Sequence, residues 1–323
     1  MATTIQIVTG FLGSGKTTLV RHLVEAPSES RTAVVVGEYA EDGIDGPMIE
    51  ASGAYVRQIT ATGRGSTAKS YLPAVRAMVE EGRFARIIVE TSGVTEIAQV
   101  AQELASDPLI KAEAVFGPTT VVLDAGSFEK HDQFFAHQLW SQVDVADIIA
   151  VNKVDKVPNQ SLDDLRVRIK GRNDEAKVLF VYMGQVHRPT VLSIPYDGFL
   201  PRAMRANWSG VLPPEFEAFV YRSTKLCYDR VQIGHKLLNL PGGHIARFKG
   251  ILRCYDRGHC INGMPGQLDW DNGTYGGDTR IAFIGLNLLA REDEVRTVLD
   301  TELTRQNDEI RDEARQVARR GRT

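Results

Sequence analysis

The stretch GFLGSGKTT, residues 10–18, contains the residue types most clearly suited to chemistry. Its spacing, Gly-x4-Gly-Lys-Thr, is typical of loops that bind nucleotide phosphates. The three glycines allow backbone conformations that a Cβ would obstruct, so successive amides can point at one anion. The stretch follows a predicted strand over 4–9 and begins a predicted helix over 16–26, whose positive end attracts the same anion. We therefore predict a phosphate-binding loop here.

The side chains of this loop have distinct predicted roles. Lys16 is expected to reach the β- and γ-phosphates and to neutralise charge during phosphoryl transfer, which makes it a candidate catalytic residue. The hydroxyl of Thr17 is expected to ligate Mg²⁺. The predicted nucleotide-binding residues of the loop are Gly13, Ser14, Gly15, Lys16, Thr17 and Thr18.

A second motif is IIVETSG, residues 87–93, which predicts a buried strand that ends in an acid. Glu90 would lie at the carboxyl end of that strand, where ligands bind in parallel sheets. We expect its carboxylate to hold Mg²⁺, through water, and the amide of Gly93 to meet the γ-phosphate.

A third motif, VNKVD at 151–155, bears on the choice of base. Guanine presents two adjacent donors, and the single carboxylate of Asp155 can accept both of them. Asn152 can serve the opposite edge of the base, and the stem of Lys153 can cover its face. Adenine lacks that pair of donors, so the motif favours GTP over ATP.

The elements between these motifs predict the fold. Apolar strands alternate with helical patterns up to about residue 190, which predicts an α/β domain of the P-loop NTPase class with a mostly parallel sheet. Strands are predicted at 4–9, 32–38, 86–91, 119–125, 146–153 and 177–182, and helices at 16–26, 95–107, 130–142 and 161–171, the last capped by Ser161 and closed by Gly171.

Prolines break this pattern, and the sequence after them differs. We predict a GTPase-type domain at 1–190, a Pro-rich linker at 191–214, a smaller α+β domain at 215–305 and a charged tail at 306–323. The smaller domain is expected to contain an antiparallel sheet. Its predicted strands are 216–224, 245–255 and 279–288, and its predicted helices are 229–240 and 291–303.

Composition excludes several classes of protein. The net charge of −3 gives no basis for a nucleic-acid partner. No window approaches the roughly 20 apolar residues that cross a bilayer, so no membrane association is expected. Three cysteines make no disulfide framework, which favours a cytoplasmic location.

The sequence resembles the CobW-like branch of the CobW/HypB/UreG family of SIMIBI-class P-loop GTPases. The resemblance rests on GFLGSGKTTL (10–19), IIVETSGV (87–94), AVNKVD (150–155), HIARFKGIL (244–252) and IAFIGLNL (281–288). It implies a GTPase that uses GTP and Mg²⁺ to drive a conformational change. It also implies a client metalloenzyme or corrinoid protein as partner, and a homodimer that depends on nucleotide.

Two departures from the family pattern concern the regions expected to switch. Where the family usually reads Asn-Glu-Phe-Gly, this chain reads GEYA at 37–40, and it keeps Glu38 and a downstream acid, Asp45. Either acid is a candidate to orient the attacking water. Glu38 has the alternative role of capping a helix or facing solvent.

The second departure is the loss of the family's Cys-x-Cys-Cys motif, since the aligned residues are Gly63, Arg64, Gly65 and Ser66. None of them is a soft metal ligand. Arg64 is a candidate to reach phosphate oxygens as an arginine finger, in cis or across a dimer. The alternative is a solvated arginine.

Three functions follow. The preferred one is a GTP-dependent accessory protein or chaperone that carries no metal at the usual loop. The second is a zinc or cobalt metallochaperone with a relocated site, at Cys254, His259 and Cys260 or at thiols supplied by a partner, although Cys254 also suits a strand as a small hydrophobe. The third is a P-loop kinase or an ATP-dependent ligase.

Overall fold

The structure is a computed structural model of the 323-residue chain, and it describes residues 2–25, 31–38, 54–60, 71–192, 201–205, 216–224, 228–271 and 275–300. The chain divides into two compact units, Met1–Glu215 and Phe216–Thr323. The stretch predicted as a linker falls largely outside the described residues, and the predicted tail falls wholly outside them.

The first unit is built on a parallel sheet. Runs of Val, Ile and Ala form its inner strands because those side chains are buried on both faces. The order is β3-β2-β4-β1-β6-β7-β8, with β5 beside β1, and each pairing between described strands is parallel. The strands are β1 (Thr3–Thr9), β2 (Thr32–Glu38), β3 (Tyr55–Thr60), β4 (Arg86–Glu90), β5 (Ala114–Phe116), β6 (Thr120–Asp124), β7 (Ile148–Asn152) and β8 (Lys177–Phe180).

Helices cover both faces of this sheet. One face packs against apolar residues such as Val75 and Val100, and the other against residues such as Leu19. The helices are α1 (Lys16–Val24), α2 (Tyr71–Glu80), α3 (Ile97–Ser106), α4 (Pro108–Glu113), α5 (Phe128–Asp144), α6 (Asn159–Arg172), α7 (Arg188–Leu192) and α8 (Arg202–Arg205). Among the described residues, no helix is both long and apolar enough to cross a membrane.

The second unit contains an antiparallel sheet in the order β12-β11-β10-β13-β9. Phe219, Phe248 and Phe283 from the sheet share one apolar core with Leu237 and Leu299 from two helices. The strands are β9 (Phe216–Ser223), β10 (Ile245–Arg253), β11 (Gly258–Met264), β12 (Gln267–Trp270) and β13 (Thr279–Leu286), and the helices are α9 (Arg230–Leu238) and α10, over 292–300.

The predicted class, an α/β P-loop fold with a smaller α+β region, is confirmed. The sequence did not predict β3, α2, β11 or β12. Helix α6 begins at Asn159 after Pro158, so Ser161 is not its cap and Gly171 lies inside it.

Candidate functional site

The predicted nucleotide-binding motifs meet at one edge of the parallel sheet, where β1, β4, β6 and β7 end. Val8 pairs with Glu90 across β1 and β4, and Asp124 pairs with Asn152 across β6 and β7. The chain places β2, β3 and β4 on one side of β1, and β6, β7 and β8 on the other. Open α/β sheets bind ligands at the carboxyl edge beside such a reversal of strand order.

The glycines of the loop after β1 adopt backbone angles that suit only residues without a Cβ. The φ angles of Gly10, Gly13 and Gly15 are 146°, 79° and 102°. A Cβ on Gly10 would lie 2.2 Å from the carbonyl oxygen of Val122, and one on Gly15 would lie 2.3 Å from Nδ2 of Asn152. The loop is therefore pressed against β6 and β7, and it leads directly into the first turn of α1.

Lys16 folds back over this loop. It is 7% exposed, and its Nζ donates to the carbonyl oxygens of Gly10 at 2.9 Å and Phe11 at 3.3 Å. The ammonium group thus lies at the loop's own backbone. Ser14 is fully buried, and its Oγ has no hydrogen-bond partner among the described residues. Both groups are available to an anion held by the loop.

Thr17 and Glu90 meet between α1 and the end of β4. The Thr17 hydroxyl donates to Oε1 of Glu90 across 2.8 Å, and Glu90 is 3% exposed. A hydroxyl and a carboxylate side by side are oxygen ligands of the kind that Mg²⁺ prefers. The donor set therefore fits this cation. Gly93 lies close by in the chain, and a Cβ there would lie 2.6 Å from the amide nitrogen of Leu12 in the loop.

Asn152 ties two loops together. It is 2% exposed, its Nδ2 donates to the carbonyl oxygen of Ser14 at 3.0 Å, and its Oδ1 accepts the amide of Gly184 at 3.0 Å. Gly184 follows β8 and has a φ of 69°. Both ends of the Asn152 amide are thus engaged within the protein. The role of Gly184 was not predicted from the sequence. A glycine two residues after the predicted strand at 177–182 could have indicated a turn at this edge of the sheet.

Lys153 and Asp155 take different positions beyond β7. Lys153 has a left-handed backbone, with a φ of 59°, and its Nζ pairs with Oδ2 of Asp124 at 2.7 Å. The same buried carboxylate accepts the amide of Gly126 and the hydroxyl of Ser127. Asp155 is exposed. Asp124 was also missed from sequence, although it ends a strand just as Glu90 does.

The loop that follows β4 is held by side chains from two helices. The buried hydroxyl of Tyr71, at the start of α2, accepts the amide of Ser92 at 2.9 Å. From α5, Gln142 donates to the carbonyl oxygen of Gly93 at 3.1 Å, and Gln138 donates to that of Thr95 at 3.4 Å. Burial raises the pKa of Tyr71 to about 12, so its hydroxyl stays protonated.

Tyr71 also contacts the strand that carries Glu38. A Cβ on Gly37 would lie 1.9 Å from the Tyr71 hydroxyl oxygen, so this hydroxyl fills the space that a side chain would occupy. The departure at Gly37 noted in the sequence is therefore matched to a buried tyrosine.

His131 packs against the phosphate-binding loop. Its ring meets Phe11 edge-on with centroids 4.6 Å apart, and Phe135, at a kink in α5, lies 5.2 Å from Phe11. Burial lowers the pKa of His131 from 6.5 to about 4, with Asp124 acting in the opposite direction and Lys153 in the same direction as burial. The imidazole is neutral at pH 7.

Three candidate catalytic residues fall outside what the structure describes. Asp45 and Arg64 lie outside the described residues, and Glu38 ends β2 but its side chain is not among those described. Their roles remain predictions. The remaining predicted residue of the loop, Thr18, is half-buried in α1.

The second unit brings together a set of donors that differs from the predicted one. Ligand atoms of Cys254, Asp256 and His259 lie within 4.8 Å of one another. Cys260 does not belong to this set. It follows His259 on β11, and neighbouring residues of a strand point to opposite faces.

The comparisons with known proteins agree with this geometry. The nucleotide-binding domain of CobW/HypB/UreG proteins matches residues 4–180, which contain every motif described at the carboxyl edge of the sheet. The chain belongs to the CobW/HypB/UreG family. The predicted resemblance is thereby confirmed.

Curated relatives of this family member carry names that mention zinc. The zinc chaperone CobW of Pseudomonas aeruginosa is 28% identical over 222 residues, which are 59% of this chain and 59% of that protein. The zinc chaperone YeiR of Escherichia coli is 30% identical over 164 residues, 49% of each chain. The chain spans only about half to three fifths of the length of the curated relatives it matches.

Two solved structures of metal-bound proteins are also similar to this chain. Zn(II)-bound YjiA GTPase from E. coli is 20% identical with a TM-score of 0.44, and the match covers 94% of this chain and 99% of that one. HypB from Helicobacter pylori in complex with nickel is 17% identical with a TM-score of 0.44, covering 57% and 80%.

Proposed function

We propose that this protein binds and hydrolyses GTP and acts as an accessory protein on a metal- or corrinoid-dependent client enzyme. The observation that carries the proposal is the convergence of three motifs at one edge of the sheet. They are the glycine-rich loop with Lys16, the Thr17–Glu90 pair, and the segment from Asn152 to Asp155.

Guanine recognition is assigned to Asp155. Its carboxylate is exposed at the end of the segment after β7, so it can accept the two adjacent donors of guanine. The stem of Lys153 is suited to cover the face of the base. Because both ends of the Asn152 amide are engaged within the protein, we assign Asn152 to holding the phosphate loop against the loop of Gly184.

Phosphate binding is assigned to the loop backbone, to Lys16 and to Ser14. When a phosphate is bound, the Lys16 ammonium exchanges its carbonyl partners for phosphate oxygens and so lowers the energy of the charge that develops there. The amides from Gly13 to Thr18 and the buried Ser14 hydroxyl add donors. The Gly93 amide is assigned to the terminal phosphate, and the tight packing of Gly93 against the backbone of Leu12 in the loop supports this role.

Thr17 and Glu90 are the residues that would hold Mg²⁺, with Glu90 acting directly or through water. When bound, Mg²⁺ offsets negative charge on the phosphate oxygens. The protein's own contribution is to keep the hydroxyl and the carboxylate adjacent, and the Tyr71, Gln138 and Gln142 contacts hold the loop that follows Glu90.

Orientation of the attacking water is assigned to Glu38 or Asp45, and Arg64 is the candidate arginine finger. All three follow or end β2 and β3, which pair with each other in the sheet. An Arg64→Ala variant that hydrolyses GTP at the same rate at every protein concentration would contradict the role of Arg64.

In this proposal the protein acts on a metal-dependent client without binding metal at residues 63–66. Relatives are named as zinc chaperones and as zinc-regulated GTPase metalloprotein activators. The four residues aligned with the cysteine motif, residues 63–66, supply no soft ligand here. The proposed cycle therefore transmits nucleotide state to the client through conformation, with a nucleotide-dependent homodimer as one form of that change.

Hydrolysis of GTP and ATP by the purified chain tests the proposal. GTP is expected to be the preferred substrate, and Lys16→Ala should reduce turnover by at least about a hundredfold because a charge at the reacting phosphate is lost. Lys177→Ala is the matched control, since this exposed lysine begins β8 at the opposite edge of the sheet. Tighter binding of ATP than GTP would instead favour the kinase or ligase.

Capture of the client tests the accessory role. The chain is immobilised with a non-hydrolysable GTP analogue or with GDP, and the proteins retained from a lysate are identified and analysed for metal and corrinoid. A metal- or corrinoid-dependent enzyme retained in only one nucleotide state supports the proposal. Equal recovery in both states contradicts nucleotide-dependent action.

The metallochaperone remains the second candidate because of one observation, the cluster of Cys254, Asp256 and His259.

A further inference from the structure

The turn between β10 and β11 contains three side chains whose types match a metal site. Cys254 follows β10, Asp256 lies in the turn, and His259 is the second residue of β11. The thiol and the imidazole are buried, at 2% and 0% exposure. The Asp256 side chain is 53% exposed. One side of the cluster is therefore in the core, and the other is open to solvent.

The backbone of this turn is fixed from several directions. Arg253 pairs with Gly258, and the amide of Cys254 donates to the carbonyl oxygen of Arg257 at 2.9 Å. Tyr228 brackets the same turn, since its amide donates to Arg253 and its carbonyl oxygen accepts the amide of Tyr255. The side chains thus extend from a positioned backbone, which lowers the entropic cost of collecting them around an ion.

The side-chain geometry is close to that of a coordination sphere. Nε2 of His259 lies 3.1 Å from Oδ1 and 3.0 Å from Oδ2 of Asp256, and all three ligand atoms of the cluster lie within 4.8 Å of one another. Ligands of one tetrahedral zinc ion are about 3.3–3.5 Å apart, given bond lengths near 2.0 Å to nitrogen or oxygen and 2.3 Å to sulfur. Asp256 and His259 are thus already close to this separation, and the Cys254 sulfur lies within 4.8 Å of the ligand atoms of both.

One ring nitrogen of His259 also lacks a hydrogen-bond partner among the described residues. Its ring is fully buried, yet Nδ1 has no hydrogen-bond partner among the described residues. Buried polar atoms are nearly always satisfied, and exceptions need a reason. Among the described residues, the buried ring is therefore hydrogen-bonded at Nε2, which faces the cluster, and not at Nδ1.

We propose that Cys254, Asp256 and His259 form a binding site for a divalent transition ion of the zinc or cobalt class. A thiolate and a carboxylate carry two negative charges, which balance a divalent cation in a buried site. The sulfur and nitrogen ligands select borderline ions over Mg²⁺ or Ca²⁺. This site replaces the predicted set of Cys254, His259 and Cys260.

The number of ligands indicates an exchangeable ion. Structural zinc sites use four protein ligands, whereas sites with three leave a position open. The open position and the exposed Asp256 give an incoming or departing ligand access to the metal. Nε of Arg257 lies 4.0 Å from Oδ2 of Asp256, so this guanidinium is placed to attract the carboxylate when the ion leaves.

Cobalt titration of the full chain, without nucleotide, tests the site. One Co²⁺ per chain should bind, with a thiolate-to-cobalt charge-transfer band, and Zn²⁺ should displace it. Cys254→Ser should abolish the band, while the matched control Cys260→Ser should keep it. Trp270 supplies a second signal, since its ring lies 5.4 Å from that of His259 and its fluorescence should fall as Co²⁺ binds.

Asp256→Asn is a second test in case Cys254→Ser misfolds, because Asp256 is exposed in a turn and its substitution should leave the fold intact. It should weaken Co²⁺ binding by at least about tenfold while the thermal melting curve stays unchanged. A band that survives Cys254→Ser, or that disappears equally with Cys260→Ser, would overturn the site, and so would unchanged affinity in Asp256→Asn. The assay contains no GTP, so failure of the proposed GTPase function would leave its outcome intact.

Discussion

The hydroxyl of Thr17 and the carboxylate of Glu90 are hydrogen-bonded across 2.8 Å, although 73 residues separate them in the chain. The contact joins the first turn of α1 to the end of β4. It places the two predicted magnesium ligands side by side, and the sheet register contributes because Val8, at the end of β1 before the loop, pairs with Glu90.

This pair predicts a defect in magnesium use. Glu90→Gln keeps the size of the side chain but removes its charge, so the Mg²⁺ concentration for half-maximal GTP hydrolysis should rise about 10- to 100-fold. Thr17→Ala should have a similar effect, while Thr17→Ser, which keeps the hydroxyl, should stay close to the unsubstituted protein. A magnesium titration of hydrolysis measures both, and equal behaviour of the Ala and Ser variants would contradict the assignment.

Asp155 predicts the choice of base. Asp155→Asn replaces one of two acceptors with a donor, so GTP binding should weaken by about 2 kcal/mol or more, roughly 30-fold. Xanthosine triphosphate carries an oxygen where guanine has its amine, so it should gain affinity relative to GTP. Asp163→Asn, at an exposed position in α6, is the matched control. Fluorescent-nucleotide competition gives both affinities, and an unchanged preference would exclude contact with the base.

The tight packing of Gly37 against Tyr71 predicts that a side chain at this position lowers the free energy of unfolding. In Gly37→Ala the new Cβ meets the Tyr71 hydroxyl oxygen at 1.9 Å and Cζ at 2.6 Å, so the buried ring must move. Overpacking of this kind lowers the free energy of unfolding by about 1–3 kcal/mol. Gly171→Ala is the matched control, because a Cβ there meets nothing within 4 Å and alanine favours the helix interior. Denaturant unfolding compares the two, and equal stability would show that Tyr71 yields without cost.

The burial of His131 predicts that the free energy of unfolding falls in acid. Burial lowers its pKa to about 4, compared with 6.5 in the unfolded chain, so the unfolded state binds the extra proton between these values. The free energy of unfolding should therefore fall as pH drops from about 6.5 towards 4, by up to about 3 kcal/mol from this group. His131→Phe should remove that share of the pH dependence.

The measurement is denaturant unfolding at a series of pH values between 4 and 7. Gln133→Ala, at an exposed position of the same helix, is the control, because it removes no titratable group and should follow the unsubstituted protein. If His131→Phe loses stability with acid as steeply as the unsubstituted protein, another group is responsible.

The inner strands and the phosphate loop were predictable because their signals are local. Buried parallel strands are continuous apolar runs, and the loop has glycines at fixed offsets. Strand β3 was not predictable in this way, since it lies at the sheet edge and Tyr55, Arg57 and Gln58 are exposed. Helix α2 was not predicted, and its Pro73 lies in the first turn, where proline removes no intrahelical hydrogen bond.

The contacts between motifs were harder to predict from the sequence. Nothing in VNKVD indicates that Asn152 bonds to Ser14 and Gly184, because those partners are 138 and 32 residues away. The proposed metal site shares two residues with the set predicted from the sequence, Cys254 and His259. Strand alternation separates His259 from Cys260, but β11 was not predicted, so the predicted set contained Cys260 whereas the proposed one contains Asp256.

The pairing of Glu38 with Thr60 at the ends of β2 and β3 has an evolutionary consequence. Residues 61–70, which include the positions where relatives carry their cysteines, begin after the last paired residue of β3. None of these positions belongs to the paired residues of β2 and β3. The segment that departs from the family pattern can therefore diverge without altering any residue of the phosphate loop, β4 or β7, although in sequence it directly follows the strand that pairs with β2.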